Sequence, residues 1–260
     1  GTKVVAQSMT ATQCGDEPLL LKNKYPDLFV LVDEDRARGL KYLKVNHPEI
    51  ETVVLDDAMQ HRKVKADFYL LLTTWTKPFY SDCILPAGNL RDIKSRSKSV
   101  QAIVVTKTPL GLDQQERRKC AGMLGNSNQQ VFFSHISYGE ICRLDTDQAD
   151  EMSFKNVVLL TAIANPLPFE QEAQNRFNVE KHFKFKDHHR FTRDELFKLR
   201  DFIDTFELEK PVVLTTEKDA QRLKIHNQFF KESQIDVKYW KINTDFGSDA
   251  VRFNTMIRSI

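Results

Sequence analysis

The chain has 260 residues, 41% hydrophobic and 28% charged, with a formal net charge of +2. That is the make-up of an ordinary globular protein of one large or two modest domains, and the near-balance of charge gives no global case for nucleic acid. The four cysteines form no C-x-x-C pair, which argues against a disulfide frame or zinc site and for free thiols in a reducing compartment; no apolar run reaches the ~20 residues of a bilayer span, and no signal peptide opens the chain.

Residues 1–13 are polar and lack a clear period. Gly15 permits a tight turn and Pro18 suits the first turn of a helix. Asp16 or Glu17 then reads as an N-cap, or as a carboxylate held at a loop-to-helix junction and aimed into a cleft. Residues 28–32, Leu-Phe-Val-Leu-Val, read as a buried strand, and a helix is expected over 37–46. Arg36 lies where that strand gives way to that helix, so its fork could hold an anion or pair with Asp33 or Glu34.

The stretch from Val53 to Arg62 is the most informative. Three apolar residues, Val53-Val54-Leu55, run straight into Asp56 and Asp57, with Gln60 and His61 close behind. A short apolar run suits a buried parallel strand whose carboxyl end lies where open α/β sheets bind ligands. Adjacent carboxylates there repel unless a cation sits near them, and hard oxygen ligands at a strand end suit a Mg²⁺–nucleotide site. Turn chemistry, with Asp57 capping a helix, is the alternative.

Further strands are expected over 67–72 and 102–107, with a Pro/Gly loop over 83–92 between them. The basic, serine-rich residues 94–99 read as a solvated loop that could touch phosphate. A polar helix and loop should fill 111–130. The alternation restarts with a strand at 156–161, which places a domain boundary near 150. A tight turn at 162–166 and an alternating segment from His182 follow. Thr192 and Glu195 form a capping box ahead of a helix whose apolar stripe is Leu196, Leu199, Phe202, Ile203 and Phe206. Strands at 211–215 and 237–242, a helix start at Thr216 and a terminal helix over 249–260 complete the chain. His188 and His189 are successive and so unlikely partners on one metal; a histidine beside Asp187 could instead orient a carboxylate or shuttle a proton.

Six motifs come in one order. They are Gly15-Asp16-Glu17-Pro18; Asp35-Arg36; Leu55-Asp56-Asp57-x-x-Gln60-His61-Arg62; Leu85-Pro86-Ala87-Gly88-x-Leu90-Arg91; Phe185-x-Asp187-His188-His189-x-Phe191-Thr192; and Thr216-Glu217-Lys218-Asp219-Ala220-x-Arg222-Leu223. Together they resemble the tetraacyldisaccharide 4′-kinases, the lipid A 4′-kinases of outer-membrane biogenesis. The resemblance implies an α/β fold. Residues 1–150 would form a P-loop NTPase-like parallel-sheet core, incomplete at its N-terminus, and residues 151–260 a smaller α/β lobe closing over a cleft. It implies transfer of the ATP γ-phosphoryl group to the 4′-hydroxyl of a lipid A disaccharide precursor, tetraacyldisaccharide 1-phosphate, with Mg²⁺. The setting would be the cytoplasmic face of the bacterial inner membrane, in peripheral contact with it, without nucleic acid or an obligate protein partner. Asp56 and Asp57 match the family's metal-holding carboxylates, Asp16 its general base and His188 the partner of that base. Glu17, Arg36, Gln60, His61, Arg91 and Asp92 match residues of the nucleotide and acceptor site.

Two departures bear on these expectations. No G-x-x-x-x-G-K-[ST] loop occurs in the 260 residues, so the chain is expected to lack the family's N-terminal portion and to bind ATP poorly alone. Arg91 is followed by Asp92-Ile93 where the family usually has Glu-Pro, so the carboxylate there is shorter. A binding module that keeps the cleft for an anion or lipid head group but not the chemistry is the competing reading. An unrelated P-loop GTPase is weaker, since Thr216-Glu217-Lys218-Asp219 has Glu where N-K-x-D needs Asn.

Overall fold

The computed structural model describes residues 1–90, 92–126, 128–150 and 154–260. Two compact units emerge, Gly1–Glu34 with Tyr138–Ile242 and Asp35–Ser137 with Asn243–Ile260. This partition differs from a single cut near 150. The first 34 residues pack with the C-terminal half of the chain, and the last 18 pack with its middle.

The N-terminal segment holds strand β1 (Lys3–Val4), helix α1 (Ala11–Cys14), helix α2 (Asp16–Lys24) and strand β2 (Leu31–Val32). The strand expected over 28–32 is thus two residues long, and it pairs antiparallel with β1 rather than inside a parallel sheet. Its burial comes from a small cluster of Val5, Cys14 and Leu19, with Val30 and Val32 packed against it. Gly15 caps α2 at φ +93°, a conformation that favours glycine, so neither Asp16 nor Glu17 is the N-cap. Both lie in the first turn, where the helix dipole favours negative charge.

The second unit opens with α3 (Arg36–Asn46), capped by the Asp35 carboxylate, which accepts from the N–H groups of Ala37 and Arg38. Its parallel sheet has the order β3 (Leu70–Thr74), β4 (Ala102–Thr106), β5 (Gln130–Phe133). Helix α4 (Gln114–Leu124) connects the last two, and Lys94–Ser99 form a short 3-10 helix rather than a loop. The strand expected at 53–55 does not form. Val53 and Val54 are 40% and 90% exposed, and among the described residues no strand pairs with them. Three apolar residues without a ladder partner gain too little to hold an extended conformation. Asp56 and Asp57 accordingly lie in a turn rather than at a strand end, with Asp57 at φ +44°.

In the first unit a five-stranded sheet has the order β6, β10, β9, β7, β8. Its strands are β6 (His135–Arg143), β7 (Asn156–Thr161), β8 (Asn178–Lys184), β9 (Val212–Thr216) and β10 (Val237–Asp245). β8, β7, β9 and β10 run parallel to their neighbours. β7 is buried on both faces, the usual fate of a parallel strand. Val158 and Leu160 meet Leu196, Leu199 and Ile203 of α6 (Arg193–Ile203) on one side. Val157 and Leu159 meet Phe169 and Ala173 of α5 (Leu167–Arg176), with Trp240, on the other. The Thr192–Glu195 capping box opens α6 as expected, and Thr216 caps α7 (Glu217–Leu223). Helix α8 (Asn227–Glu232) lies beyond, and α9 (Ala250–Arg258) returns to the second unit, where Met256 and Phe253 cover Ala102, Val104 and Phe132. β1, α1, β5, β6, α5 and α8 are not among the elements expected from the sequence.

Helix α2 is fixed to α7 by polar contacts as well as by packing. Asn23 Nδ2 donates to Gln221 Oε1 at 2.9 Å and Lys24 Nζ to Glu217 Oε2 at 3.5 Å, while Lys24 also donates to the Ile242 carbonyl of β10 at 2.9 Å. These contacts hold the C-terminal end of α2, and its N-terminal end meets α7 through Asp16 and Glu17.

Candidate active site

At that junction Asp16 meets Arg222, 206 positions away in sequence. Its carboxylate accepts from Arg222 Nη2, lies 3.4 Å from His188 Nδ1 and 3.9 Å from Lys218 Nζ. Lys218 also donates to Glu17 Oε1 at 2.9 Å and stands 3.6 Å from Asp187. His188 sits in the turn after β8 at φ +59°, its backbone N–H bonded to the Ala162 carbonyl and to the Asp187 carboxylate. Its imidazole is half exposed, while the Asp16 carboxylate and the Arg222 guanidinium are largely buried.

The electrostatics follow from these contacts. Burial acts to raise the Asp16 carboxyl, but the Arg222 bond and charge, its own backbone N–H and Lys218 outweigh burial and hold it below the usual carboxylate range. Burial likewise acts to lower the Lys218 ammonium, and Glu17, Asp16 and Asp187 carry it above its ordinary value. Asp219 has no exposed surface, and burial pushes its carboxyl up despite bonds from the Ala162 N–H, the Thr216 hydroxyl and Arg222. The result is an ionised carboxylate beside an imidazole, in a setting able to orient a hydroxyl and receive its proton.

His189 does something else. Its ring stacks on Phe185 at 4.7 Å and meets Glu195 at 2.9 Å, so it fastens the turn to the start of α6. The two histidines diverge, as their adjacency implies.

The other expected site residues belong to the second unit. Asp56 and Asp57 share an exposed turn, which Gln60 braces by donating from Nε2 to the Asp57 carbonyl at 2.6 Å. His61 is half-buried, and its N–H bonds the Ala58 carbonyl. Arg36 is the first residue of α3. The Asp92 carboxylate accepts from the Ile93 N–H and from Arg96, with Arg62 at 4.0 Å; burial opposes these bonds, which hold it below the usual range. Arg91 lies outside the described residues. The described residues contain no group of three or more His, Cys, Asp or Glu side chains able to hold a metal. A pair of hard carboxylates still fits Mg²⁺, which takes one or two from protein and the rest from water and phosphate.

Sequence reasoning passed over four members of the Asp16 cluster: Lys218, Asp219, Arg222 and Asp187. All four stand in the motifs quoted for the resemblance. Charges at 218, 219 and 222, with Asp219 and Arg222 one turn apart on a helix, were the available signal.

The fold is α/β with parallel-sheet cores, and the cluster is of the acid–base kind found in group-transfer enzymes. Comparison with known proteins narrows this. All 260 residues match the family described as tetraacyldisaccharide-1-P 4′-kinase. The tetraacyldisaccharide 4′-kinase of Porphyromonas gingivalis is 34% identical over 250 residues, covering 92% of this chain and 69% of that protein. That of Flavobacterium johnsoniae is 35% identical over 227 residues, covering 86% and 65%. The chain thus spans about two thirds of the length of these curated relatives. A crystal structure of LpxK from Aquifex aeolicus, in complex with ATP, superposes with a TM-score of 0.70 at 21% identity, covering 99% of this chain and 74% of that one, and shares its fold. The chain belongs to the tetraacyldisaccharide 4′-kinase family.

Proposed function

We propose that the protein transfers the γ-phosphoryl group of ATP to the 4′-hydroxyl of tetraacyldisaccharide 1-phosphate in lipid A biosynthesis. The observation that carries the reading is the Asp16–His188 pair at the head of α2, in a chain whose family is named for this reaction. Asp16 accepts the proton of the acceptor hydroxyl as that oxygen bonds to the γ-phosphorus and the bond to ADP breaks, with His188 its partner at 3.4 Å. Glu17, through Lys218, sets the near side of the same cluster. Asp56 and Asp57 would hold Mg²⁺, which supplies charge neutralisation at the phosphates. Arg36, Gln60, His61, Arg91 and Asp92 serve the nucleotide or the acceptor head group.

No helix among the described residues is long and apolar enough to cross a membrane. The acceptor is a lipid, so the protein works in peripheral contact with the cytoplasmic face of the inner membrane. The test is ATP-dependent phosphate transfer to tetraacyldisaccharide 1-phosphate by the protein that carries this chain. Transfer that requires Mg²⁺ is the expected result. Head-group binding without transfer overturns the kinase reading in favour of a binding module.

A further inference from the structure

We propose that Arg222, anchored by the buried Asp219, is a positioning residue that fixes the Asp16 carboxylate and selects the tautomer of His188. The proposal deepens the kinase reading and rests on it for its consequence in catalysis.

The chain of contacts begins in the core. One oxygen of the Asp219 carboxylate accepts from the Ala162 N–H at 2.9 Å and the Thr216 hydroxyl at 2.8 Å. The other accepts from Arg222 Nη1 at 3.1 Å, and that same nitrogen donates to the Ala162 carbonyl at 3.2 Å. A guanidinium is planar, so pinning Nη1 on two acceptors aims Nη2 as well. Nη2 points at Asp16 and lies 3.2 Å from His188 Nδ1. Asp219 itself touches neither member of the pair; it works through Arg222.

The donor inventory then decides the imidazole. A guanidinium has donors only, so Nδ1 of His188 accepts from Arg222, and the proton of the neutral ring sits on Nε2. A rival arrangement is built into the same cluster. Nδ1–H would donate to Asp16 at 3.4 Å while Nε2 accepts from Lys218 Nζ, also at 3.4 Å. Nδ1 cannot donate and accept at once, so the two exclude each other. Arg222 selects the first and Lys218 the second. The charged and titratable groups facing Asp16 are Arg222 and Lys218 from α7, His188 from its turn and Glu17 from its own helix, with Asp187 facing Lys218 and His188.

The test is NMR on the whole protein without nucleotide or lipid, reading the His188 imidazole nitrogens at pH 8 and the Asp16 carboxyl carbon through an acid titration. The wild type should show the Nε2–H tautomer. Arg222→Gln should convert it to Nδ1–H and raise the Asp16 midpoint by roughly one pH unit or more, the size of losing an opposite charge at this range. Asp219→Asn should shift both in the same direction by less, and Lys218→Gln should leave the tautomer unchanged. An Nδ1–H tautomer in the wild type overturns the proposal with no variant needed, which covers the case of a variant that fails to fold. A folded Arg222→Gln protein with unmoved tautomer and midpoint overturns it too. In the transfer assay Arg222→Gln should lower kcat, leave the KM for Mg-ATP nearly unchanged and move the acid limb of the pH profile upward. A merely structural role would lower activity evenly across pH. A wild type without transfer activity would sink the kinase reading and leave the NMR result standing on its own.

Discussion

The Asp16 carboxylate is largely buried, ionised and bonded on several sides, yet it heads a helix whose stability needs no aspartate at that position. Replacing it by Asn keeps the shape and removes the proton acceptor. Asp16→Asn should cut phosphoryl transfer by about 10²-fold or more, the usual worth of a general base, while Mg-ATP affinity stays within a small factor. Near-normal turnover in that variant would remove Asp16 from the role. A second residue-scale effect concerns stability. His182 is enclosed between Thr161, 2.8 Å from its Nε2, and Glu170, 3.2 Å from its Nδ1. Burial lowers its proton affinity more than Glu170 restores it, and burial does the same to His226 against a bond from the Phe191 backbone. The unfolded chain takes up these protons below about pH 6.5, where the folded chain resists them. Stability is therefore full above that pH and declines as pH falls through it. Urea denaturation at pH 7.5 and pH 5 should show the loss, and His182→Asn should flatten the slope; an equal slope in that variant would assign the effect elsewhere.

Elements were legible in the sequence where a local signal and a tertiary partner agreed. Thr192 and Glu195 announced α6, and the alternation of apolar runs announced β3, β4, β7, β9 and β10. Residues 53–55 carried an equally good apolar signal and formed no strand, because a strand is completed by its neighbours rather than by its own residues. Gly15 misled in the other direction: it took the cap itself and left Asp16 and Glu17 inside the helix. Of the candidate site, Asp16 and His188 were legible by resemblance. Arg222 was not, because a charged residue in a short, mostly polar segment reads as solvated until its burial is seen. The caps themselves can be tested. Thr192→Ala should cost about 1 kcal/mol in chemical denaturation. Thr216→Ala should cost more than Thr192→Ala, since the Thr216 hydroxyl caps α7 and also donates to buried Asp219. Equal losses would mean that the bond to Asp219 adds nothing.

At the scale of the molecule, residues 1–34 pack with residues 138–242, so sequence order and spatial order differ. The segment 51–55 is free of helix and strand, and Val54 is 90% exposed, which makes it the natural place for a protease to nick the folded chain. After limited cleavage there, the N-terminal fragment should remain bound through α2 on α7. The two pieces should co-elute from a sizing column in buffer and separate in denaturant. Separation in buffer would show that the α2–α7 contacts do not hold alone. The same arrangement sets a schedule for biosynthesis. Asp16 emerges first, and Arg222 follows 206 positions later. At roughly 5–20 residues per second, the carboxylate waits on the order of 10–40 s for its partner. For that interval α2, only nine residues long, has no α7 to lie against. Isolated helices of that length are marginal in water. The Asp16 cluster is therefore assembled only after Arg222 has been made, which keeps a chain without α7 from presenting a working site.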